Sequence, residues 1–354
     1  MDVVAWRDLD DAEAGGSELH AHEILSRWAD AGIDVRLWTS RVDGAAREIH
    51  RDGYTVNRRA GRYAVFPRTA VAGYRHKIGT GDGLVEIWNG MPFFSPLWSR
   101  CPRIVFLHHV HAEMWNMVLS PNLARLGYAL EHRVAPPFYR RSQIVTLSDS
   151  ARHDLVDRLH FSPKRITVVP PGIDPRFSPD GVRDGDPLVV AVGRLVPVKR
   201  FDRFVEAMVA VKKAHPRLRA MIVGEGYERP DLESRIAAAD AADWFSLPGR
   251  LTDADLVDVY RRAWVVASTS VREGWGMTLT EAAACGTPSV ATRIAGHQDA
   301  VVDGESGLLV SSVDELVEAT GSVLGDPMLR RRLSLGALRR AEQMTWERTA
   351  EVTL

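Results

Sequence analysis

Short apolar runs alternate with longer amphipathic stretches along almost the whole chain. In the first half the runs are residues 3–6, 35–38, 84–88, 104–107 and 144–147; in the second they are 188–192, 220–223, 264–267 and 289–291. Most are continuous rather than alternating, the pattern of strands covered by helices on both faces. Between them, residues 17–31 and 203–214 carry apolar positions at helical spacing. This rhythm predicts β-α units wound into parallel sheets.

The rhythm breaks once. Pro170-Pro171-Gly172-Ile173-Asp174-Pro175 runs into Phe177-Ser178-Pro179-Asp180-Gly181 and Asp184-Gly185-Asp186-Pro187, with no period of either kind. Such punctuation reads as a linker between two Rossmann-like, doubly wound α/β domains, here residues 1–176 and 177 onward. A length of 354 residues suits two domains of ordinary size, and 45% apolar against 26% charged residues supplies a core for each.

Charge narrows the function classes. Lys+Arg is 45 against Asp+Glu 46, so a net charge of −1 gives no global attraction to nucleic acid. The basic residues comprise 40 Arg and 5 Lys, so a lysine is informative where an arginine is not. Residues 41–77 form a local exception, with nine Lys/Arg (Arg41, Arg47, Arg51, Arg58, Arg59, Arg62, Arg68, Arg75, Lys77), three acids and interleaved aromatics. That segment is a candidate for peripheral contact with an anionic inner-membrane surface, or for a solvated face. Only Cys101 and Cys285 occur, which excludes a disulfide framework or a structural zinc site as the organising principle. No run approaches the roughly 18–20 apolar residues of a membrane span, and the first residues lack a leader pattern. These features predict a cytoplasmic protein.

Four segments carry candidate chemistry. The first is Arg272-Glu273-Gly274-Trp275-Gly276-Met277-Thr278-Leu279-Thr280-Glu281, after the run 264–267 and before Cys285-Gly286-Thr287-Pro288. Its glycines permit a tight strand-to-helix turn, and a helix opening after Gly276 points unpaired amides and a positive dipole end at a phosphate. Glu273 and Glu281 lie eight residues apart, roughly 12 Å at helical rise. That exceeds the carboxylate spacing of about 5–9.5 Å in a glycoside hydrolase and suits two anchors along one long polar ligand. The second is Gly193-Arg194-Leu195-Val196-Pro197-Val198-Lys199, at the end of the run 188–192, where two cations can hold a diphosphate as it leaves. The third is Gly15-Gly16-Ser17-Glu18, a turn of close-approach glycines with Ser17 as a helix N-cap. The fourth is His108-His109-Val110-His111 at the end of the run 104–107. It lacks a further ligand to close a tetrahedral metal site and suits contact with a sugar hydroxyl. Gly79-Thr80-Gly81-Asp82-Gly83 precedes a strand instead of following one, and Asp253-Ala254-Asp255 follows Thr252 at a helix start, so both read as structural.

In this order, Gly-Gly-Ser-Glu, Pro-Gly-Ile-Asp, Gly-Arg-Leu-x3-Lys and Glu-x7-Glu with Cys-Gly-Thr-Pro resemble a family 4 (group 1) glycosyltransferase. The likeness extends over nearly the whole chain, to Gly304-Glu-Ser-Gly307-Leu-Leu-Val and Trp346. It implies the GT-B fold, with an acceptor-binding domain (1–176), a donor-binding domain (177–337) and a terminal helix (338–354) that returns to the first. It also implies retaining, metal-independent hexosyl transfer from a nucleotide diphosphate sugar, UDP- or GDP-linked, with no cofactor, to an unidentified acceptor hydroxyl. By the family pattern Arg194 and Lys199 match the diphosphate pair, Glu281 the ribose carboxylate and Glu273 the one near the donor hexose. Gly276, Met277, Thr278 and Leu279 match the cradle for phosphate and sugar; Arg250 and Leu251 flank the base. Gly16 lies on the loop over the donor, and His108, ahead of His109, is the strand-tip histidine near the anomeric centre. Arg200 stands where the family usually has Gly. Competing readings are a sugar phosphorylase or nucleotide-sugar epimerase of the same fold, a non-catalytic nucleotide-sugar binder, and a pair of Rossmann domains for another nucleotide.

Overall fold

The computed structural model describes the backbone of all 354 residues and every side chain except those of Glu113 and Val118. The chain forms two units, residues 1–172 with 346–354 and residues 173–345. The division therefore falls at the front of the Pro/Gly/Asp-rich stretch, whose remainder belongs to the second unit. The expected segment 338–354 is split as well. Its first residues end the helix Pro327–Ala341 in the second unit, and the helix Trp346–Thr353 belongs to the first.

The first unit is built on β1 (Asp2–Val4), β2 (Arg36–Ser40), β3 (Glu48–Arg51), β4 (Tyr54–Ala60), β5 (Leu84–Ile87), β6 (Arg103–Phe106), β7 (Gln143–Thr146) and β8 (Ile166–Val168). They form one sheet in the order β3-β4-β2-β1-β5-β6-β7-β8. All pairings are parallel except β3 with β4, a hairpin turned by Asp52 and Gly53 at φ 41° and 83°. Positive φ at both positions is what a two-residue hairpin needs. Val3, Ile24, Trp28, Leu37 and Phe106 pack one side of the sheet. The terminal helix Trp346–Thr353 lies against the helix Gly16–Asp30, where Trp28 Nε1 donates to Ala350 O at 2.9 Å and Arg27 pairs with Glu347.

The hairpin falls inside the basic segment 41–77 and changes its reading. Arg58 is 1% exposed and gives two bonds to Asp8, at 2.9 and 2.6 Å, and one to Asp10. Arg51 pairs with Asp10, Arg59 with Glu48 and Arg62 with Glu13. Burial without a partner would make Arg58 prohibitively costly, so the acidic loop after β1 and the hairpin arginines fold as one network. The expected single basic face thus divides. Its hairpin part is compensated, whereas Arg68, Arg75 and Lys77, on and just after the helix Val65–Tyr74, are exposed.

The second unit is built on β9 (Leu188–Val192), β10 (Arg219–Val223), β11 (Phe245–Gly249), β12 (Val265–Ser268), β13 (Ser289–Thr292) and β14 (Gly307–Val310). The sheet is parallel throughout, in the order β11-β10-β9-β12-β13-β14. Strand succession reverses between β9 and β12, and such a reversal opens a crevice beyond the carboxyl ends of the two strands. Val189 and Val190 face Val265 and Val266 in register, so both strands end side by side. The core gathers Val189, Ala191, Phe204, Met208, Phe245 and Val265. Each of the larger side chains contributes about 1.5–3 kcal/mol by burial, which holds the strand ends as a rigid platform.

Candidate active site

The carboxyl ends of β9 and β12 deliver the two central groups to one place. The turn after β9 carries Lys199, and the loop after β12 carries Glu273; Lys199 Nζ donates to Glu273 Oε1 at 2.5 Å. Their side chains are 19% and 18% exposed, sunk but reachable from solvent. Ser270 Oγ donates to the same carboxylate oxygen at 2.7 Å, and Thr269 Oγ1 holds the Lys199 carbonyl at 2.9 Å. Burial works to raise the Glu273 pKa, but the Lys199 ammonium and His297, with the Lys199 and Ser270 hydrogen bonds, bring it down to about 2. Glu273 is therefore a fixed anion and Lys199 a cation already oriented by it.

The loop from Glu273 to Gly276 is braced from β13. Gly296 has φ 86°, and a Cβ there would lie 2.6 Å from the Glu273 carbonyl oxygen and 2.9 Å from the Trp275 nitrogen. Only glycine allows that approach. The adjacent His297 is fully buried. Its Nδ1 lies 2.9 Å from Thr292 O and its Nε2 3.3 Å from Ser268 Oγ. A carbonyl can only accept, so Nδ1 carries the proton and Nε2 accepts from the serine. Burial lowers the His297 pKa against the pull of Glu273. Gly276, at φ 111°, starts the helix Met277–Ala284, so the amides of Met277 and Thr278 open beside this brace. Leu279 N already bonds Gly276 O at 2.9 Å.

One helical turn on, Glu281 meets a different environment. Tyr260 Oη donates to its Oε2 at 2.9 Å. Burial, reinforced by Asp253 and Asp174, outweighs that bond and raises the Glu281 pKa to about 7. Arg176 pairs with Asp174 and Asp253 close by. Arg194 is exposed at the end of β9, and Arg250 and Leu251 follow β11 directly. All the residues expected from the second half thus lie at the carboxyl edge of one sheet or in the helix it feeds. One expectation changes: Lys199 partners Glu273, which was expected to act apart from it.

Comparison with known proteins decides the family. Residues 14–177 match the model for Glycosyltransferase Family 4, and residues 174–340 match the one for group 1 glycosyl transferases. A D-inositol 3-phosphate glycosyltransferase of Stackebrandtia nassauensis is 34% identical over 96% of this chain and 85% of its own length. The chain is a group 1, family 4 glycosyltransferase. Its fold is GT-B: sucrose-phosphate synthase from Thermosynechococcus elongatus superposes with a TM-score of 0.83 at 19% identity, covering 99% of this chain and 96% of that one. Alr3699/HepE of Anabaena, solved with UDP-glucose, gives 0.75 at 16% identity, covering 99% and 98%.

In the first unit of this glycosyltransferase, Gly16 opens the helix Gly16–Asp30, but Ser17 is not its cap. The cap is Gly15, whose amide donates to Glu18 Oε2 at 2.9 Å, while Arg7 Nε donates to Glu18 Oε1 at 3.2 Å. The carboxylate reaches back farther than a serine hydroxyl and carries the charge Arg7 needs. His108 follows β6, is buried, and sits edge-on to His20 with ring centroids 4.7 Å apart. Among the described residues neither ring nitrogen of His20 has a hydrogen-bond partner, and Phe106 and Trp346 flank it. Burial brings His20 down to about 3 and His108 well below the ordinary imidazole value, so both are neutral at pH 7. His109 stacks instead on His111, at 4.9 Å and 17°. Near them, the fully buried Glu131 is taken up by the His111 and Ala112 amides and by Trp115 Nε1.

Sequence reasoning missed Ser270, His297, Tyr260 and His20. Two had a readable signal: His297 follows the run 289–291 as Lys199 follows the run 188–192, and Ser270 is three residues before Glu273. Tyr260 and His20 are interior helix positions and had none.

Proposed function

We propose that this glycosyltransferase moves a hexosyl unit from a nucleotide diphosphate sugar to an acceptor hydroxyl with retention and without a metal. The observation that supports this most is the Lys199–Glu273 pair at the β9/β12 reversal, beside the amides that follow Gly276. A diphosphate placed there meets Lys199 and Arg194, which supply the positive charge a departing nucleoside diphosphate needs. The helix start adds its dipole. Glu273 orients Lys199 and accepts from the donor hexose, and Glu281, held by Tyr260 on one oxygen, offers the other to the ribose. Arg250 and Leu251 border the base; in the first unit the family pattern assigns Gly16 to the donor loop and His108, a neutral imidazole, to the anomeric centre. Glu273 is held on one oxygen by Lys199 and Ser270, and its other oxygen is assigned to a hydroxyl of the donor hexose and not to a covalent sugar intermediate. The acceptor hydroxyl attacks from the side the diphosphate leaves and passes its proton to that phosphate.

The relatives guide the substrate search. HepE was solved with UDP-glucose, and the curated relatives are named for D-inositol 3-phosphate. A thermal-shift screen of UDP-, GDP- and ADP-sugars identifies the donor, since a ligand at 100 times its dissociation constant adds about 2.7 kcal/mol. Release of nucleoside diphosphate is then followed with and without cyclitol and sugar acceptors, in EDTA, with NMR of the product's anomeric proton. Release only with acceptor, unchanged by EDTA and giving the donor's anomeric configuration, is the expected result. An inverted product, a need for metal, a need for inorganic phosphate or a new free nucleotide sugar would each overturn it.

A further inference from the structure

Residues 121–141 fold as a helix (Pro121–Ala129), a wider π turn (Leu130–Val134) and a short helix (Pro136–Tyr139). Two stripes run along this element. Ala124, Gly127, Glu131, Ala135 and Tyr139 are buried, with Gly127 against the Trp115 ring. Leu123, Leu126, Leu130, Val134 and Phe138 repeat the same three- and four-residue steps one position earlier, and they face out. Leu123 is 53% exposed, Leu126 63%, Val134 47% and Phe138 43%, with Leu130 half-buried. The π turn, by lengthening the step, keeps 126, 130, 134 and 138 on one side. Soluble helices normally put polar residues there.

The charge around this stripe has one sign. Between residues 115 and 141 the only acid is Glu131, which is fully buried, whereas Arg125, Arg133, Arg140 and Arg141 are exposed. Arg165 adds a fifth cation through its 2.9 Å bond to the Arg141 carbonyl. Among the described residues none of these five makes an ion pair, in contrast to the hairpin arginines. The short helix Ser95–Trp98, with exposed Leu97, lies between this element and the helix Val65–Tyr74, which brings exposed Val71 and Tyr74 with Arg68 and Arg75. The apolar and basic surface is thus continuous over three helices.

We propose that this face of the first unit docks on an anionic phospholipid bilayer. Its leucines, valines and aromatics would enter the headgroup boundary while the arginines meet lipid phosphate. Charge complementarity selects this occupant. A second copy of the chain would press the same uncompensated arginines against each other. Among the described residues no helix is long and apolar enough to cross a membrane, so the contact is peripheral. This inference does not depend on the donor chemistry proposed above, and its test does not read activity.

The test is flotation of the full chain with vesicles of phosphatidylcholine containing 30% phosphatidylglycerol, against pure phosphatidylcholine, with light scattering for mass. The protein should float with the anionic vesicles only and release several-fold at high salt. Leu126→Glu with Val134→Glu should cut binding at least tenfold, and Arg133→Gln about fivefold, one cation near such a surface being worth about 1 kcal/mol. Leu126→Gln with Val134→Gln repeats the test should the first pair unfold, and Arg59→Gln, on the compensated hairpin, should change nothing. No flotation of the wild type, flotation that survives both double variants, or a dimer that these variants dissociate would overturn the proposal.

Discussion

At the carboxyl edge of the second sheet, charge is present and answered: Lys199 meets Glu273, and Ser270 donates to the same carboxylate oxygen. At the same edge of the first sheet, His108, two residues past β6, is a buried imidazole against the buried imidazole of His20, and neither is charged at neutral pH. Both sheets are wound from β-α units and both reverse their strand order at a central pair. The difference therefore lies in what the loops hang on equivalent frames. A charged, preorganised edge suits a polyanion that must leave with its electrons, whereas neutral rings suit hydroxyl groups. Fold sets where chemistry can happen, and the turn residues decide which chemistry.

The comparison breaks most visibly at Lys199. Lys199→Ala leaves Glu273 anionic with a serine for company, and loss of one partner of a buried pair costs about 3 kcal/mol. We expect lower thermal stability and a turnover reduced at least tenfold, about 1.4 kcal/mol in transition-state terms. Lys199→Ala with Glu273→Gln should recover much of the stability and none of the turnover. Diphosphate release and calorimetry on the wild type, Lys199→Ala, Glu273→Gln and the double variant check this, and near-normal activity of Lys199→Ala would remove Lys199 from the mechanism.

Glu281 sharpens the contrast within one helix. Its pKa is raised to about 7 from an ordinary 4.5. The stability it contributes is complete below pH 4.5 and lost as pH rises through 7. Glu273, with its lowered pKa, does the reverse: its contribution is present above pH 4.5 and lost as pH falls toward 2. Glu281→Gln should therefore gain on the order of 2 kcal/mol more over the wild type at pH 8 than at pH 5, where the folded carboxyl is still protonated. Donor binding should weaken several-fold in the same variant. Urea melts at the two pH values measure the first effect, and equal differences at both would refute the assignment of the raised pKa.

Much of this was legible in the residues. Four of the six strands of the second sheet, β9, β10, β12 and β13, are among the continuous apolar runs, and most of its site residues cluster beyond the ends of β9 and β12. Periodicity missed β3 and β11 because their exposures alternate, and β8 because it is three residues long. The hairpin at residues 48–60 was hidden for another reason. Its arginines read as a surface patch until Asp8, Asp10 and Glu13, about fifty residues earlier in the chain, were seen to answer them. Pairing across such distance leaves no local pattern. The exposed stripe 123–138 was not legible either, since period gives a face but not which way it points.

The smallest effect lies in the first unit. His20 is enclosed by Phe106, His108 and Trp346, and burial brings its pKa to about 3 from an ordinary 6.5. The unfolded chain takes up a proton below pH 6.5 that the folded one refuses until near 3. Its contribution is thus present above pH 6.5 and lost as pH falls through that window. At pH 5.5 the loss amounts to about 1 kcal/mol for this residue. His20→Leu should remove that dependence, so its stability falls less than the wild type's between pH 7.5 and 5.5. His108, lowered in the same direction, keeps a residual slope. The slope is the quantity to compare, because leucine also changes the packing against Trp346 at every pH. An unchanged slope in His20→Leu would mean that His20 is charged or solvated in the folded state, and the contrast between a neutral edge and a charged one would then fail on its first-unit side.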